Sequence, residues 1–285
     1  MDLIDLHVHT YASDADVNLT PEKVVKLAKE NNIKAIAITD HDTVLAVDKA
    51  VKAGKKLGVE VVPGVEVSLY EGNFEIHVIG YYPDYKDPGF VKVLDRQSKG
   101  RDERMKEILK RLNKQGIDIT FDYMRKKVKG AYVSKVHIAW EMIKRGYAEK
   151  LKPAIKKIDS MDVPYSDFSK YLLDVKSGIE FLRKFNAVTV LAHPEVIKMY
   201  GKEEEKFIKK LVGYGLLGME VYTWKHDEKA TKRYEKLADK FGLIMTGGTD
   251  FHAHNPKVKI GVHDGSLKIP YRLLDGIKKV KAEIS

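Results

Sequence analysis

The stretch that decides the fold is residues 5–16, DLHVHTYASDAD, near the start of the chain. Its first half alternates apolar and polar residues, and side chains two apart on a β-strand point to the same side. His7 and His9 therefore share a face, and that face is polar where a core face should be apolar. The stretch is consistent with a solvated strand edge or with a strand that ends at a binding site, and the rest of the sequence has to decide between them.

The composition limits the setting in which this strand lies. The chain has 285 residues, of which 44% are hydrophobic, enough for one large domain or for a domain that carries a smaller inserted one. It has no cysteine, which excludes thiolate metal sites, disulfides and cysteine nucleophiles. We expect a cytoplasmic location and no membrane partner, because no signal peptide or membrane-length apolar run is recognisable. The net charge of +10 fits either a solvated lysine-rich surface or a field that attracts phosphates.

Strands and helices alternate in both halves of the chain. We predict strands over residues 3–10, 33–42, 59–70 and 74–82, and helices over residues 20–32 and 43–58. The pattern resumes later, with strands over residues 187–195, 217–223 and 243–252 and helices over residues 203–215 and 227–242. Such alternation indicates an α/β fold with a parallel sheet or barrel.

The middle of the chain interrupts this alternation. Residues 95–116, DRQSKGRDERMKEILKRLNKQG, form one long amphipathic helical pattern, and no clear strand follows until after residue 176. We therefore predict a barrel domain made of residues 1–94 and 177–285, with a helical insertion domain of residues 95–176.

Polar residues cluster at one end of the predicted strands. In a parallel barrel the carboxyl ends of the strands converge on one face, where barrel enzymes carry their chemistry. Any one of these motifs could be incidental, and a lone histidine is more often a hydrogen-bonded core residue. Six of the ten histidines nevertheless fall at this pole, which favours a shared metal cluster. The predicted ligands are His7, His9, Asp14, His41, Glu66, His77, His193, Asp250 and His252.

This ligand set also indicates which ions the cluster holds. Imidazole and carboxylate groups suit Mn, Zn or Fe, and nine ligands are too many for one tetrahedral ion. We therefore predict two or three divalent ions.

The motifs in their order resemble those of the PHP (polymerase and histidinol phosphatase) family. They are DLHVHTYASD, AITDHDT, PGVEVS with EIHVIGYY, LAHPE, GMEVYTWKH and GGTDFH, and they are most similar to those of the small metal-dependent phosphoesterases that act on nucleotide phosphates. The resemblance implies a distorted (β/α)7 TIM-like barrel with a trinuclear metal site.

The resemblance also implies a role for each ligand. The first ion would be bound by His7, His9, Glu66 and Asp250. The second would be bound by Asp14, His41 and His252. The third would be bound by His77, His193 and Glu66, so that Glu66 bridges two ions. Asp40, next to His41, is expected either to orient an imidazole or to cap its strand.

Three further residues are expected to contact the substrate phosphate. His226, in EVYTWKHD, matches a phosphate contact of the family, although it could simply begin the next helix. Residues 135–139, KVHIA, match a family RPHIA-like motif whose Arg and His bind phosphate, so Lys135 and His137 are expected to do the same. Lysine is a point charge and not a bidentate fork, which affects substrate affinity or identity. His254 and His263 fit no motif and are predicted to be surface residues.

The implied chemistry is phosphoester hydrolysis by a metal-bound hydroxide, with no protein nucleophile. The expected substrate is a small phosphorylated molecule: a nucleoside monophosphate, a 3',5'-bisphosphate or a short oligonucleotide. Two alternatives stay open, namely a histidinol phosphate phosphatase and a non-catalytic metal-binding module. The spacing from Glu66 to His77, Asp14 and the KVHIA segment argue against the first, and the intact ligand set argues against the second.

Overall fold

The computed structural model describes residues 2–14, 16, 18–72, 74–253, 258–263 and 265–285. His254 lies outside these residues. The described residues form seven strands: β1 (Leu3–Val8), β2 (Ile33–Ile38), β3 (Glu60–Glu71), β4 (Phe74–Tyr81), β5 (Val188–Leu191), β6 (Gly218–Tyr222) and β7 (Ile244–Gly247). They also form ten α-helices: α1 (Pro21–Glu30), α2 (Val47–Leu57), α3 (Pro88–Asn113), α4 (Phe121–Lys127), α5 (Lys135–Lys144), α6 (Leu151–Asp159), α7 (Val175–Lys184), α8 (Lys202–Gly213), α9 (Glu228–Phe241) and α10 (Arg272–Ile284).

The strands form one sheet in which they follow one another in chain order from β1 to β7. The α/β class is confirmed, but a TIM-like barrel is not, because no ladder among the described residues joins the edge strands β1 and β7. The two edges nevertheless approach each other, since Val8 forms an isolated parallel bridge with Phe251, which follows β7. The sheet is therefore strongly curved at this pole without being closed.

The sheet is only partly parallel, which differs from the prediction. β4 runs antiparallel to both β3 and β5, whereas the other neighbouring strands are parallel. The reason is the connection, because only residues 72 and 73 separate β3 from β4 and a parallel crossover needs a dozen residues or more. His77 consequently reaches the site from a strand of opposite direction, where it pairs with Ser68 rather than standing at the end of its strand.

Local signals set the helix ends as predicted. The Thr20 side chain accepts a hydrogen bond from the Lys23 N–H at the start of α1, and Pro21 occupies the first turn, where its missing N–H costs nothing. The second helix, α2, ends at Gly58, which adopts a φ of +73°. That left-handed conformation is the usual cap of a helix that ends in glycine.

The insertion has an apolar core of its own. Buried residues between Met105 and Val163 form a cluster separate from those that pack on the sheet. Helix α3 joins the two cores, since Phe90 and Leu94 pack with the sheet while Met105 belongs to the insertion. The helix thus crosses the predicted boundary at residue 95, and the domain division stays a prediction.

None of the helices in the described part of the chain has the length and apolar character needed to cross a membrane.

Candidate metal centre

The carboxylate of Glu66 lies at the middle of the site. Glu66 is on β3 and is fully buried. Its Oε2 lies 3.1 Å from Nε2 of His7 and 3.0 Å from Nδ1 of His41. Its Oε1 lies 3.1 Å from Nδ1 of His77 and 3.2 Å from Nε2 of His193. Its Oε2 also lies 3.3 Å from Nε2 of His9. One carboxylate is therefore shared by five of the described imidazoles, as expected for a group that bridges ions.

A second carboxylate, Asp250, closes the site from the edge after β7. Its Oδ1 lies 3.1 Å from Nε2 of His9, 3.4 Å from Nε2 of His7 and 3.4 Å from Nδ1 of His252. Asp250 has a φ of +48°, a conformation that is strained for a residue with a Cβ. His193, at the end of β5, has a φ of +30°. Such strain is typical of functional sites, where the surrounding structure holds a side chain in place.

Several atoms of the cluster satisfy no hydrogen bond. His7 Nε2, His41 Nδ1 and Glu66 Oε2 are buried and have no hydrogen-bond partner among the described residues, although they lie close together. A buried polar atom without a partner costs about 1–3 kcal/mol, so a dense group of them calls for a further partner. Nitrogen and carboxylate donors of this kind fit a divalent cation such as Zn, Mn or Fe.

The ligand atoms fall into overlapping groups within 4.8 Å. The first group holds the four residues predicted for the first ion. The second and third groups contain most of the other predicted ligands, and His9, His41 and Glu66 are each shared between two groups. The groups are His7, His9, Glu66 and Asp250; His9, His41 and His252; and His41, Glu66 and His77. The division of ligands among individual ions stays a prediction.

Asp14 borders the same site without belonging to these groups. Its Oδ1 accepts the N–H of Asp16 at 2.8 Å, and its Oδ2 accepts the N–H of Ala253 at 3.0 Å. The carboxylate is buried and lines a cavity together with His41 and His252. A carboxylate accepts several bonds at once, so these contacts orient Asp14 while its role as a ligand stays a prediction.

The pKa values of the cluster follow from burial and mutual charge. Burial disfavours the ionised form of Glu66, but His41, His7 and His77 outweigh it and hold the pKa of Glu66 well below its usual range. Burial would lower the pKa of His9, but Asp250 and Glu66 raise it to about 9. The same balance, with Glu66 and Glu75, raises the pKa of His77 to about 10. Without a metal these imidazoles hold protons, which a cation must displace.

Glu220 orients two of the imidazoles and was not identified from the sequence. It lies on β6, fully buried, and accepts a hydrogen bond from Nδ1 of His7 at 3.0 Å. Its other oxygen accepts the backbone N–H of His193 at 2.7 Å. Because Nδ1 of His7 donates to Glu220, Nε2 is the nitrogen that faces Glu66 and would bind an ion. The sequence signal that could have identified it is a single glutamate in the otherwise apolar strand GMEVY.

Asp40 acts on His9 through the turn after β1. Nδ1 of His9 lies 3.2 Å from Oγ of Ser13, and that hydroxyl donates to Oδ1 of Asp40 at 2.7 Å. Asp40 also accepts the N–H and the hydroxyl of Thr10, each at 2.8 Å. Asp40 therefore holds the turn after β1 and acts through Ser13 on the imidazole of His9, not on that of His41. A cap of its own strand stays a prediction.

The insertion reaches the centre through an arginine that was also missed. Arg101, on α3, places Nε 2.5 Å from Oδ2 of Asp42 and Nη2 3.2 Å from Oε1 of Glu75. Oε1 of Glu75 lies 3.4 Å from Nε2 of His77. The ring of Tyr132 packs 4.7 Å from the guanidinium. A charge from the insertion thus holds the acid that faces His77, although nothing in the local sequence separates Arg101 from the surrounding basic residues.

A cavity of about 150 Å³ opens between the centre and the insertion. Asp14, His41, His77 and His252 line one side of it, and residues of the insertion line the other, among them Arg104, Tyr132, Lys135 and Tyr165. Lys135 therefore lines the cavity that borders the centre, and its Nζ also lies 3.2 Å from Oδ1 of Asp159. The cavity thus brings predicted metal ligands close to the basic side chains of Arg104 and Lys135, an arrangement suited to an anionic substrate.

The other two predicted phosphate contacts are placed differently. His137 is at the third position of α5, where its Nδ1 accepts the N–H of Ser134 at 3.0 Å in a capping box. His226 packs on Tyr234, and its Nδ1 donates to the carbonyl of Val221 at 2.9 Å. Neither lines the cavity beside Lys135, and their roles as phosphate contacts stay predictions.

His263, predicted to be a surface residue, is only partly exposed in the structure. Its ring stacks on Trp224 with centroids 5.1 Å apart, and the residue is half-buried. Lys225, the residue after Trp224, forms an ion pair with Asp250 of the centre and was not identified from the sequence.

The curved α/β sheet with this cluster defines a metal-binding protein of the PHP class. The family described as PHP domain matches residues 5–240, and the chain belongs to this family. The resemblance seen in the sequence is thereby confirmed.

Relatives of known activity cover most of the chain. A 5'-3' exoribonuclease from Haemophilus influenzae is 30% identical over 249 residues, which is 87% of this chain and 89% of the relative. A 3',5'-nucleoside bisphosphate phosphatase from Chromobacterium violaceum is 28% identical over 88% of this chain and 87% of the relative. A phosphoribosyl 1,2-cyclic phosphate 1,2-diphosphodiesterase from Eggerthella lenta is 26% identical over 87% of this chain and 93% of the relative. All three are phosphoesterases, which agrees with the class of enzyme predicted from the sequence.

Solved structures show the same fold. A structure from Bifidobacterium adolescentis superposes with a TM-score of 0.81 at 23% identity and covers 97% of this chain and 95% of that chain. A structure described as an amidohydrolase from Chromobacterium violaceum, with bound sulfate and no metal, has a TM-score of 0.80 at 27% identity. It covers 90% of this chain and 89% of that chain.

Proposed function

We propose that this chain is a metal-dependent phosphoesterase that hydrolyses phosphate esters of nucleotides. The substrates would be nucleoside monophosphates, 3',5'-bisphosphates or short oligonucleotides. The observation that carries the proposal is the position of Glu66, a buried carboxylate shared by five imidazoles and joined to Asp250 through His7 and His9. It lies beside a cavity lined by cationic residues.

The cofactor that this ligand set favours is two or three divalent ions, with Mn, Zn or Fe as candidates. Divalent ions in such a cluster activate water and stabilise the charge that develops during an in-line displacement at phosphorus. The predicted ligands would hold them, with Asp14 and His252 at the edge that faces the cavity.

The protein's own contribution is to orient the ligands and to hold the substrate. Glu220 and Ser13 bind the outer nitrogens of His7 and His9, so that the inner nitrogens are the ones that would give up their protons to bind ions. The chain needs no nucleophile of its own, consistent with the absence of cysteine. Lys135, at the cavity mouth, would hold the phosphate, and the net charge of +10 would attract it.

The choice of nucleotide substrates rests on the relatives. The Haemophilus protein is named for the degradation of RNA and the Chromobacterium protein for the removal of phosphate from a nucleoside bisphosphate. Both activities break a phosphoester bond in a nucleotide. A histidinol phosphate phosphatase and a non-catalytic metal-binding module stay open as alternatives.

A substrate panel tests the proposal. The purified protein, supplied with Mn, is offered nucleoside monophosphates, 3',5'-bisphosphates, short oligoribonucleotides, sugar phosphates and histidinol phosphate, each with and without chelator. We expect chelator-sensitive hydrolysis that is fastest with a nucleotide. Fastest turnover of histidinol phosphate would support the first alternative, and no turnover of any phosphoester would support the second.

A further inference from the structure

The loop of residues 223–226, between β6 and α9, faces two ways. On one side Lys225 forms its ion pair with Asp250 of the metal centre. Next to it, the indole Nε1 of Trp224 donates a hydrogen bond to the carbonyl of Thr249 at 2.7 Å. Trp224 thus bonds to the residue before Asp250, and Lys225, the residue after Trp224, pairs with Asp250 itself. These two contacts fix the position of the indole relative to the metal centre.

Residues of this loop also line a second cavity. Its volume is about 340 Å³, a size at which pockets begin to hold small ligands. The ring of His263 stacks on one face of Trp224 at an interplanar angle of 11°, while Trp224 keeps 37% of its surface exposed. The cavity is lined by Tyr222, Thr223, Trp224, His226, Thr231, His263, Ser266 and Leu267.

Two buried polar atoms of this lining have no hydrogen-bond partner among the described residues. They are Oγ1 of Thr223 and Nε2 of His226, whose residues are only 3% and 8% exposed. Because Nδ1 of His226 donates to Val221, Nε2 of a neutral ring is an acceptor. Burial lowers the pKa of His226, which favours the neutral ring. A fitting ligand would therefore bring a donor, such as a ribose hydroxyl or an exocyclic amine.

We propose that Trp224 and this cavity form a nucleoside subsite, in which a base of a single-stranded oligoribonucleotide stacks on the indole while the adjoining phosphate lies at the metal centre. The inference rests on the proposed function and narrows its substrate class. Aromatic side chains bind unstacked bases of single strands in this way, without regard to sequence. The donor would be a hydroxyl of the ribose or an amine of the base, facing Thr223 and His226.

The arrangement of the two cavities favours an oligonucleotide over a mononucleotide. The cavity beside Lys135 and the cavity beside Trp224 share no lining residue. The first is lined by ligands of the centre, and the second is linked to the centre by the hydrogen bond from Trp224 to Thr249, the residue before Asp250. A phosphomonoester carries an organic group on one side of its phosphate, whereas a phosphodiester carries a nucleoside on each side. A substrate that offers one group to each cavity is therefore a phosphodiester.

The kinetic test compares substrates of different length. For wild type, Trp224→Ala and Trp224→Phe, kcat/KM is measured with a 5'-phosphorylated pentaribonucleotide and with a nucleoside monophosphate. The measured quantity is the kcat/KM for the pentaribonucleotide divided by the kcat/KM for the nucleoside monophosphate. We expect this ratio to fall by between about fivefold and about 150-fold in Trp224→Ala, the range that corresponds to the free energy of base stacking. Trp224→Phe, which keeps a stacking ring, should retain most of the ratio. A ratio in Trp224→Ala equal to that of wild type would overturn the inference.

A binding test does not depend on turnover. The chain has two tryptophans, and Trp140 is an exposed residue of α5, so Trp140→Phe leaves Trp224 as the fluorescent reporter. In the presence of chelator, where hydrolysis is off, we expect the pentaribonucleotide to quench this fluorescence in a saturable manner. No quenching at any concentration would overturn the inference. If wild type hydrolyses neither substrate, the proposed function fails, and quenching alone then decides whether the subsite exists.

Discussion

The Nδ1 atom of His7 donates a hydrogen bond to Oε1 of Glu220 across 3.0 Å, between residues that are 213 positions apart in the chain. This bond fixes the tautomer of His7 and turns its Nε2 toward Glu66 and Asp250. The backbone N–H of His193 donates to the other oxygen of Glu220. One buried acid therefore positions two of the imidazoles around Glu66, without contacting the ligand atoms that face the centre.

Replacing Glu220 should weaken metal binding. In Glu220→Gln the amide N–H₂ would face the N–H of His193, so one of the two bonds is lost. We expect the affinity for Mn to fall by about 10- to 100-fold, the usual effect of losing a partner that orients a ligand. Calorimetric titration of the metal-free protein with Mn measures the affinity.

A matched control distinguishes this effect from general damage. Glu204, on α8, is also buried but pairs with Arg233 away from the centre. Glu204→Gln should bind Mn as wild type does. Equal Mn affinities for Glu220→Gln and wild type would show that Glu220 does not orient the ligands.

His252→Ala should lose most of its activity when metal is limiting. The imidazole lines the cavity beside Lys135, and its ring stacks on that of His9 with centroids 4.1 Å apart. Losing this ligand should raise the Mn concentration needed for half-maximal turnover by about 10- to 100-fold while the far-ultraviolet spectrum stays that of wild type. Turnover at limiting Mn that matches wild type would show that His252 is not a ligand.

Lys135→Ala should mainly raise KM. A phosphate contact that is the same in the ground and transition states changes binding rather than turnover. The loss of a charged hydrogen bond, about 1.5–3 kcal/mol, predicts a fall in kcat/KM of about 10- to 100-fold. Lys135→Arg should retain or improve activity on a terminal phosphate, because arginine offers two parallel donors.

Lys144 offers the control, since it is an exposed lysine on the same helix as Lys135. Lys144→Ala should keep the kcat/KM of wild type. If Lys135→Ala keeps it as well, Lys135 belongs to the solvated surface, and the phosphate is held by other residues.

Glu141 should stabilise the insertion in a pH-dependent manner. Burial disfavours its charge, but Lys127, Arg145 and Tyr123 outweigh burial and lower the pKa of Glu141 to about 2. A lowered pKa in the folded state gives stability that is complete above the unfolded value of 4.5 and is lost as the pH falls toward 2. At pH 7, Glu141→Gln should lower the free energy of unfolding by about 2 kcal/mol.

Urea titrations across this pH range measure the difference. The gap between wild type and Glu141→Gln should narrow from pH 5 to pH 2.5, whereas Glu149→Gln, an exposed neighbour, should match wild type throughout. A gap that does not change with pH would show that the Glu141 charge contributes nothing.

Much of the centre follows from local sequence patterns. Residues at strand ends share a pole, and alternation along a strand places His7 and His9 on one face. These two rules bring most predicted ligands together before any tertiary contact is known. They do not give the direction of β4, which depended on the length of a two-residue connection.

The residues that sequence reasoning missed are fixed by distant contacts. Glu220 contacts His7 and Lys225 contacts Asp250, both far away in the chain. Arg101, on α3, contacts Asp42 after β2 and Glu75 on β4. Arg101 and Lys225 are single charged residues with no repeated spacing, so no local pattern distinguishes them from solvated side chains. Glu220 differs only in that it stands alone in the apolar strand GMEVY. His226 is a different case, since its motif predicts a phosphate contact, which stays a prediction, and the residue lines the cavity beside Trp224.

The most direct test of the central claim is to count the divalent ions bound per chain. The purified protein is stripped with chelator, reloaded with Mn, freed of excess metal and assayed by elemental analysis, and hydrolysis of the best nucleotide of the panel is followed on the same samples. The account predicts two or three ions per chain, no hydrolysis after stripping, and full recovery on reloading. At most one ion per chain, with no hydrolysis in Mn, Zn or Fe, would contradict it.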